Sequence, residues 1–166
     1  MIQVIVLIGN ICSGKTTLAK ILEFKGFSFF PVEELKKQLN FAEKDYDADQ
    51  DVLYEEYAKQ IIDLGKTKKL IVESTGANKF WSACLEKIKA EFGSELLTIK
   101  IETDKDTCLS RLKEHKEGHR LNTREDLINK IDKNIYTSSA DMIIKNNGTK
   151  EDFFQQIEKF ISSLDL

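Results

Sequence analysis

Gly9-Asn10-Ile11-Cys12-Ser13-Gly14-Lys15-Thr16 follows the apolar run Val4–Ile8 and leads into a stretch of helical period, Lys15–Phe24. It satisfies GxxxxGK[ST] between a strand and a helix, the context in which that pattern has a mechanical meaning. Glycines release the loop from the usual φ limits, so successive backbone N–H groups can wrap a phosphate. The helix N-terminus adds further donors and a favourable dipole. In such a loop Lys15 neutralises β- and γ-phosphate oxygens, the Thr16 hydroxyl ligates Mg²⁺, and Thr17 reaches the α-phosphate. The residues Gly9 to Thr17 are therefore expected to hold a nucleoside triphosphate, with ATP and Mg²⁺ as cofactors. Cys12 reads as a small filler residue within the loop.

The rest of the chain repeats the same alternation. Short apolar runs at Phe27–Phe30, Leu70–Val72, Leu96–Ile101 and Met142–Ile144 read as further strands. Between them, Val32–Leu39, Val52–Leu64, Phe80–Glu91, Lys105–Leu112, Arg124–Ile135 and Glu151–Leu164 have helical period. Strands without internal alternation, separated by helices, predict a parallel sheet covered on both faces by right-handed crossovers. The expected fold class is α/β, in a single domain spanning 1–166.

Composition narrows the function classes. With 166 residues, 41% hydrophobic and 32% charged, the chain has the balance of one globular domain. It has no apolar run long enough to span a membrane, and a cytoplasmic location is expected. Three cysteines, Cys12, Cys84 and Cys108, are too few and too scattered for a disulfide framework and are expected to be reduced. A net charge of −3 argues against a broad basic face for nucleic acid. The basic residues are nearly all lysine. The three arginines, Arg111, Arg120 and Arg124, share one short stretch with both histidines, His115 and His119.

On these motifs the chain resembles the P-loop kinase group, the nucleoside monophosphate kinase-like and polynucleotide kinase-like phosphotransferases, over nearly its whole length. The resemblance implies a five-stranded sheet of order 2-3-1-4-5, a short lid near 113–123 and an acceptor-binding insert near 32–66. After the second strand, Glu33 stands where the group carries the base or orienter for the acceptor hydroxyl, and Lys36 where it contacts substrate phosphate. At the end of the third strand, Glu73 of Leu70-Ile-Val-Glu73-Ser74-Thr75 matches the carboxylate that binds Mg²⁺ through water or orients substrate, with Thr75 beside it. Arg111 matches the arginine at the end of the helix leading into the lid, and Arg120 is the second lid candidate. Such lid cations stabilise the charge spread over a transferring phosphoryl group. Asn147 and Gly148, in the turn before the last helix, match backbone positions beside the nucleotide base.

Two motif-like stretches fail on context. Asn129-Lys130-Ile131-Asp132 imitates a GTPase signature but lies within the helical period of Leu127, Ile128, Ile131 and Ile135. The acids Asp45, Asp47, Asp49, Asp51 and Glu56 imitate a calcium loop, but Gln50 occupies the position that needs glycine. Tyr46, Tyr54 and Tyr57 are placed either to line an acceptor pocket or to join the core. The expected function is transfer of the γ-phosphoryl group from ATP to a small, nucleoside- or nucleotide-like acceptor. The alternatives are a polynucleotide 5′-hydroxyl kinase and a nucleotide-binding regulatory module with little turnover. Trp81, where nucleic-acid-end kinases often carry an arginine, weighs against the first.

Overall fold

Every residue of the first strand, β1 (Val4–Ile8), is buried, because the strand is central and both of its faces are covered. Val4, Val6 and Ile8 face one side, with Phe30, Leu70, Val72 and Leu96, while Ile5 and Leu7 face the other, with Ile71, Ile99, Ile101 and Ile144. That division is why the strands read as continuous apolar runs rather than as alternating ones. The computed structural model describes residues 1–39, 50–114, 121–134 and 140–164, without the side chains of 121–123 and 134.

All five strands are parallel, in the order β2-β3-β1-β4-β5, with β2 Ser28–Phe30, β3 Leu70–Ser74, β4 Leu96–Glu102 and β5 Met142–Lys145. This is the order the resemblance implied. Helices α2 (Val32–Gln38), α3 (Asp51–Gly65) and α4 (Trp81–Phe92) close over one face through Leu35, Leu53, Tyr57, Ile61, Leu85 and Ile88. Helices α1 (Lys15–Glu23) and α7 (Lys150–Ser163) close over the other through Leu18, Leu22, Phe153, Ile157 and Phe160. A smaller cluster joins α5 (Lys105–Glu114) and α6 (Leu121–Asn134) through Cys108, Leu112 and Ile128, with Ile11, Cys12 and Leu109 packed against it.

The helix boundaries correct one expectation and bear on another. Helix α6 begins at Leu121 rather than Arg124, so Arg124 and the acids after it lie within the helix. Of the stretch 113–123 expected to form a lid, 113–114 finish α5 and 121–123 begin α6; Arg120, His115 and His119 lie outside the described residues. The acidic stretch Asp45–Asp49 and Tyr46 also lie outside them. Asn129–Asp132 sit inside α6, as their periodicity requires.

Ordinary signals set the ends of α7. The Thr149 hydroxyl accepts the Asp152 N–H at 3.2 Å while the Asp152 carboxylate accepts the Thr149 N–H at 3.0 Å, a reciprocal capping box. From the second turn of the same helix, the Gln156 side-chain amide donates to the Lys145 carbonyl at 2.8 Å and accepts the Lys145 N–H at 3.2 Å. No described helix is long and apolar enough to cross a membrane, and none of the three cysteines is in a disulfide.

Candidate active site

Parallel α/β sheets gather ligands outside the carboxyl ends of their strands, and the expected site residues converge there. The loop from Gly9 to Gly14 follows β1, and Gly14 has φ of 107°, a left-handed conformation suited to glycine. A side chain there has no room either: a Cβ atom would lie 2.6 Å from Asn146 Nδ2 and 3.0 Å from the Phe153 ring. Cys12 holds φ of 60° without that freedom.

Three distant side chains and one backbone carbonyl of α6 hold the loop. Asn146 Nδ2 donates to the Ser13 carbonyl at 2.7 Å, and Thr103 Oγ1 donates to the same oxygen at 3.2 Å. Arg111 donates to the Cys12 carbonyl at 3.5 Å, and to the Asn146 carbonyl and Oδ1 at 2.9 and 3.2 Å. The buried Asn10 amide donates to the Ile128 carbonyl of α6 at 3.2 Å, and its Oδ1 accepts the Ile11 N–H. A peptide C=O and the following N–H point in opposite directions. With the Ser13 carbonyl held by these outer donors, the Gly14 N–H is turned the other way, toward the concave side where an anion would sit.

Lys15 is half-buried and donates to the Gly9 and Asn10 carbonyls at 2.9 and 2.8 Å. Burial pushes its ammonium below the ordinary lysine range, and the nearby Glu73 and Glu33 carboxylates oppose that shift. Glu73, at the end of β3, is pushed above the ordinary glutamate range by burial; Lys15 pulls it down, Glu33 pushes it up, and a hydrogen bond from Thr16 pulls it down again. Lys15, Thr16, Glu33 and Glu73 thus share one field, although they come from three separate chain segments. Thr16 and Thr17 are exposed at the start of α1. Ser13 Oγ is buried with no hydrogen-bond partner among the described residues, a polar atom inside the loop that a phosphate or water can satisfy.

On the acceptor side, Glu33 is exposed at the N-terminus of α2, and Lys36 lies one turn further on, half-buried. The Thr75 hydroxyl accepts the Ala77 N–H at 3.4 Å, and Gly76 has φ of 76° with Ile8 Cγ2 only 2.6 Å from where a Cβ would stand. Buried Gln50 accepts from Asn78 Nδ2 at 3.1 Å, which ties the start of α3 to the loop after β3. Trp81 is 1% exposed and packs edge-on to Tyr54; it is a core residue. Tyr57 is also fully buried, so two of the three tyrosines belong to the core side of this region.

The structure places Arg111, near the end of α5, against the loop backbone and Asn146. Asn147 Oδ1 accepts the Asp104 N–H at 2.7 Å, linking the turn before α7 to the turn before α5, and Gly148 is exposed directly before the cap of α7. Asn146 and Thr103 escaped the reading of the sequence. Each acts on Ser13 across 90 residues or more, and the only local hint was an asparagine pair at the end of an apolar run. Asn146→Ala removes a buried amide with partners on both ends and is expected to cost about 2 kcal/mol. It is expected to lower Tm by about 4–8 °C, read by thermal unfolding.

No protein-family model matches the chain, and no curated protein matches it in sequence. Solved structures do. Shikimate kinase from Acinetobacter baumannii, in complex with shikimate, aligns with TM-score 0.64 at 19% identity, covering 100% of this chain and 96% of that one. A gluconokinase from Sinorhizobium meliloti aligns with TM-score 0.65 at 13% identity, covering 96% and 97%. The Mycobacterium tuberculosis APS kinase, in complex with AMPPNP and APS, aligns with TM-score 0.61 at 15% identity, covering 96% and 95%. The chain has the fold of the P-loop kinases from end to end.

Proposed function

We propose that this chain, a P-loop kinase fold with its loop intact, is an ATP- and Mg²⁺-dependent kinase that phosphorylates a hydroxyl of a small acceptor. The observation that carries the reading is the convergence of the Lys15 loop with Glu73 at the carboxyl ends of the paired strands β1 and β3, with Glu33 just past the end of β2. An isolated nucleotide-binding loop needs the lysine; a transferase also needs groups beside it that can orient an acceptor. The solved structures with this fold include proteins named for kinase activity on shikimate, gluconate and APS, and one contains AMPPNP, an ATP analogue. Their range of acceptors widens the expectation from nucleoside-like compounds to small hydroxyl compounds generally. Nucleic acid is disfavoured, because Trp81 is buried and cannot reach an acceptor. The cytoplasm, which keeps its three cysteines reduced, is the proposed compartment.

The residues present fit both cofactors. The loop N–H groups, the N-terminus of α1 and Lys15 form a cradle for β- and γ-phosphate oxygens. The Thr16 hydroxyl and Glu73 carboxylate are the hard oxygen donors that suit Mg²⁺, which usually completes its shell with water and phosphate oxygens. When bound there, the ion supplies charge neutralisation at those oxygens. Lys15 exchanges the Gly9 and Asn10 carbonyls for phosphate oxygen. Glu33 accepts the proton of the acceptor hydroxyl, while Lys36 and Thr75 orient the acceptor. Arg120 is the proposed lid contact, Arg111 supports the loop from behind, and Asn147 and Gly148 border the base.

Incubation with labelled ATP, Mg²⁺ and a panel of sugars, sugar acids, cyclic polyols, nucleosides, nucleotides and 5′-hydroxyl oligonucleotides tests this directly: one small acceptor should become labelled. Binding of ATP without transfer to any acceptor supports the regulatory alternative and overturns the kinase reading. Glu33→Gln is expected to lower kcat about 10²-fold, with ATP affinity kept within about twofold. An unchanged kcat removes Glu33 from the mechanism.

A further inference from the structure

Successive peptides of the phosphate loop are held in different ways. The Ser13 N–H donates to the Asn10 carbonyl at 3.2 Å, and the Gly14 carbonyl accepts the Leu18 N–H at 3.1 Å. The peptide between them, which joins Ser13 to Gly14, is held by side chains. Its carbonyl accepts Asn146 Nδ2 at 2.7 Å and Thr103 Oγ1 at 3.2 Å, which occupies both of its lone pairs. The two donors stand just past the ends of β5 and β4. The Asn146 amide can face only one way here, since the Ser13 carbonyl only accepts while Arg111, on Oδ1 at 3.2 Å, only donates. Its backbone is fixed as well, by its N–H on the Glu102 carbonyl at 2.9 Å and by Arg111 on its own carbonyl at 2.9 Å. Asn146 is 5% exposed, so water has little access to these groups.

A peptide plane beside glycine turns over at little cost, because Gly14, at φ of 107°, lacks the Cβ that restricts other residues. Turning it carries the Gly14 N–H away from the concave side of the loop and puts a carbonyl oxygen there, so that attraction for an anion becomes repulsion. The loop needs something that chooses one orientation, and the glycine spacing alone does not supply it. We infer that Asn146 and Thr103 are positioning residues for the nucleotide phosphates: by holding the Ser13 carbonyl from outside, they fix the direction in which the Gly14 N–H meets an anion. The inference rests on the nucleotide-binding half of the reading above and not on phosphoryl transfer. It gives two residues outside the loop, 90 and 133 positions from Ser13, a share in phosphate affinity.

A hydrogen bond to a charged group is worth about tenfold or more in affinity. Asn146→Leu removes the donor without adding charge, and Thr103→Val does the same at the second position with its volume kept. Inorganic tripolyphosphate, which has the phosphates and no base, is the probe, titrated calorimetrically into the wild type and both variants below the lowest Tm of the three. Asn146→Leu is expected to bind it about tenfold more weakly and Thr103→Val about threefold more weakly. Amide NMR on the same samples locates the loss. At saturation tripolyphosphate should move the Gly14 amide proton of the wild type downfield, the mark of an N–H on a phosphate oxygen. In Asn146→Leu that shift should shrink, while the Lys15 and Thr16 amides at the helix N-terminus shift as in the wild type.

Unchanged affinity in Asn146→Leu overturns the inference. So does weaker binding with the Gly14 shift kept, or with the Gly14, Lys15 and Thr16 shifts all reduced together, because that marks general loosening. Binding of tripolyphosphate and ATP with no transfer to any acceptor overturns the kinase reading and leaves this inference standing. A wild type that binds neither overturns both. If Asn146→Leu does not fold, Thr103→Val carries the same test: a smaller Gly14 shift with weaker binding supports the inference, and an unchanged shift or affinity overturns it.

Discussion

Lys15→Ala is expected to reduce phosphoryl transfer by about 10³-fold or more, close to background. The ammonium is opposed across the loop by the Glu33 and Glu73 carboxylates, and in the structure its donors rest on the Gly9 and Asn10 carbonyls. That resting position is within the loop, so the lysine reaches phosphate by a short rotation about its own stem. Alanine removes charge that arginine, with its larger planar head, cannot replace in the same space. The fold should survive, because burial already holds the ammonium below its ordinary range and desolvating a charge costs stability. Calorimetric titration with ATP, thermal unfolding and a transfer assay on the same preparation check this. A folded Lys15→Ala protein with wild-type turnover would falsify the assignment of this loop as catalytic.

Glu73→Gln carries the second large effect, an expected fall of about 10²–10³-fold in kcat/KM for ATP. It also changes the shape of the pH profile. The reaction needs the carboxylate, so activity is present above its folded pKa and lost as pH falls through it. Burial raises that pKa above the ordinary glutamate value of about 4.3. The acid limb of kcat/KM, which reports the free enzyme, should therefore lie above the range of an exposed glutamate. The glutamine variant, slow at every pH, should lack that limb. A profile whose acid limb persists unchanged in Glu73→Gln assigns the titration to another group.

The fold was legible because its signals are local and redundant. Five apolar runs, the central one buried on both faces throughout, and seven amphipathic stretches leave few arrangements that respect short right-handed crossovers. Glycine spacing places the phosphate loop without reference to anything distant. What escaped is what distance creates. Nothing near Asn146 in sequence says that its amide will meet Ser13, 133 positions earlier, and nothing near Tyr57 says that its hydroxyl will meet the Phe30 carbonyl. Arg111 shows the same limit from the other direction: its place at the end of a helix leading to the lid was readable, but its bonds to Cys12 and Asn146 depend on how β5 approaches the loop. The early start of α6 has a simpler cause. Leu121, Asn122 and Thr123 lack a clear apolar period, and helix formation there is carried by propagation from the packed turn around Ile128.

The amide of Gln156 lies against the outer edge of β5 like a single peptide unit of a strand that is not there. Sheet borders invite recruitment, since a second molecule can add its own backbone to any row of unpaired groups. At Lys145 both groups are already answered, by an amide that has no chain behind it and so passes the pattern no further. Enlargement of the sheet is blocked at the end nearest Asn146 and the loop, where a docked strand would crowd the crevice. A half-buried residue of the last helix thus closes this stretch of the sheet edge beside the loop, with a single amide in place of a strand.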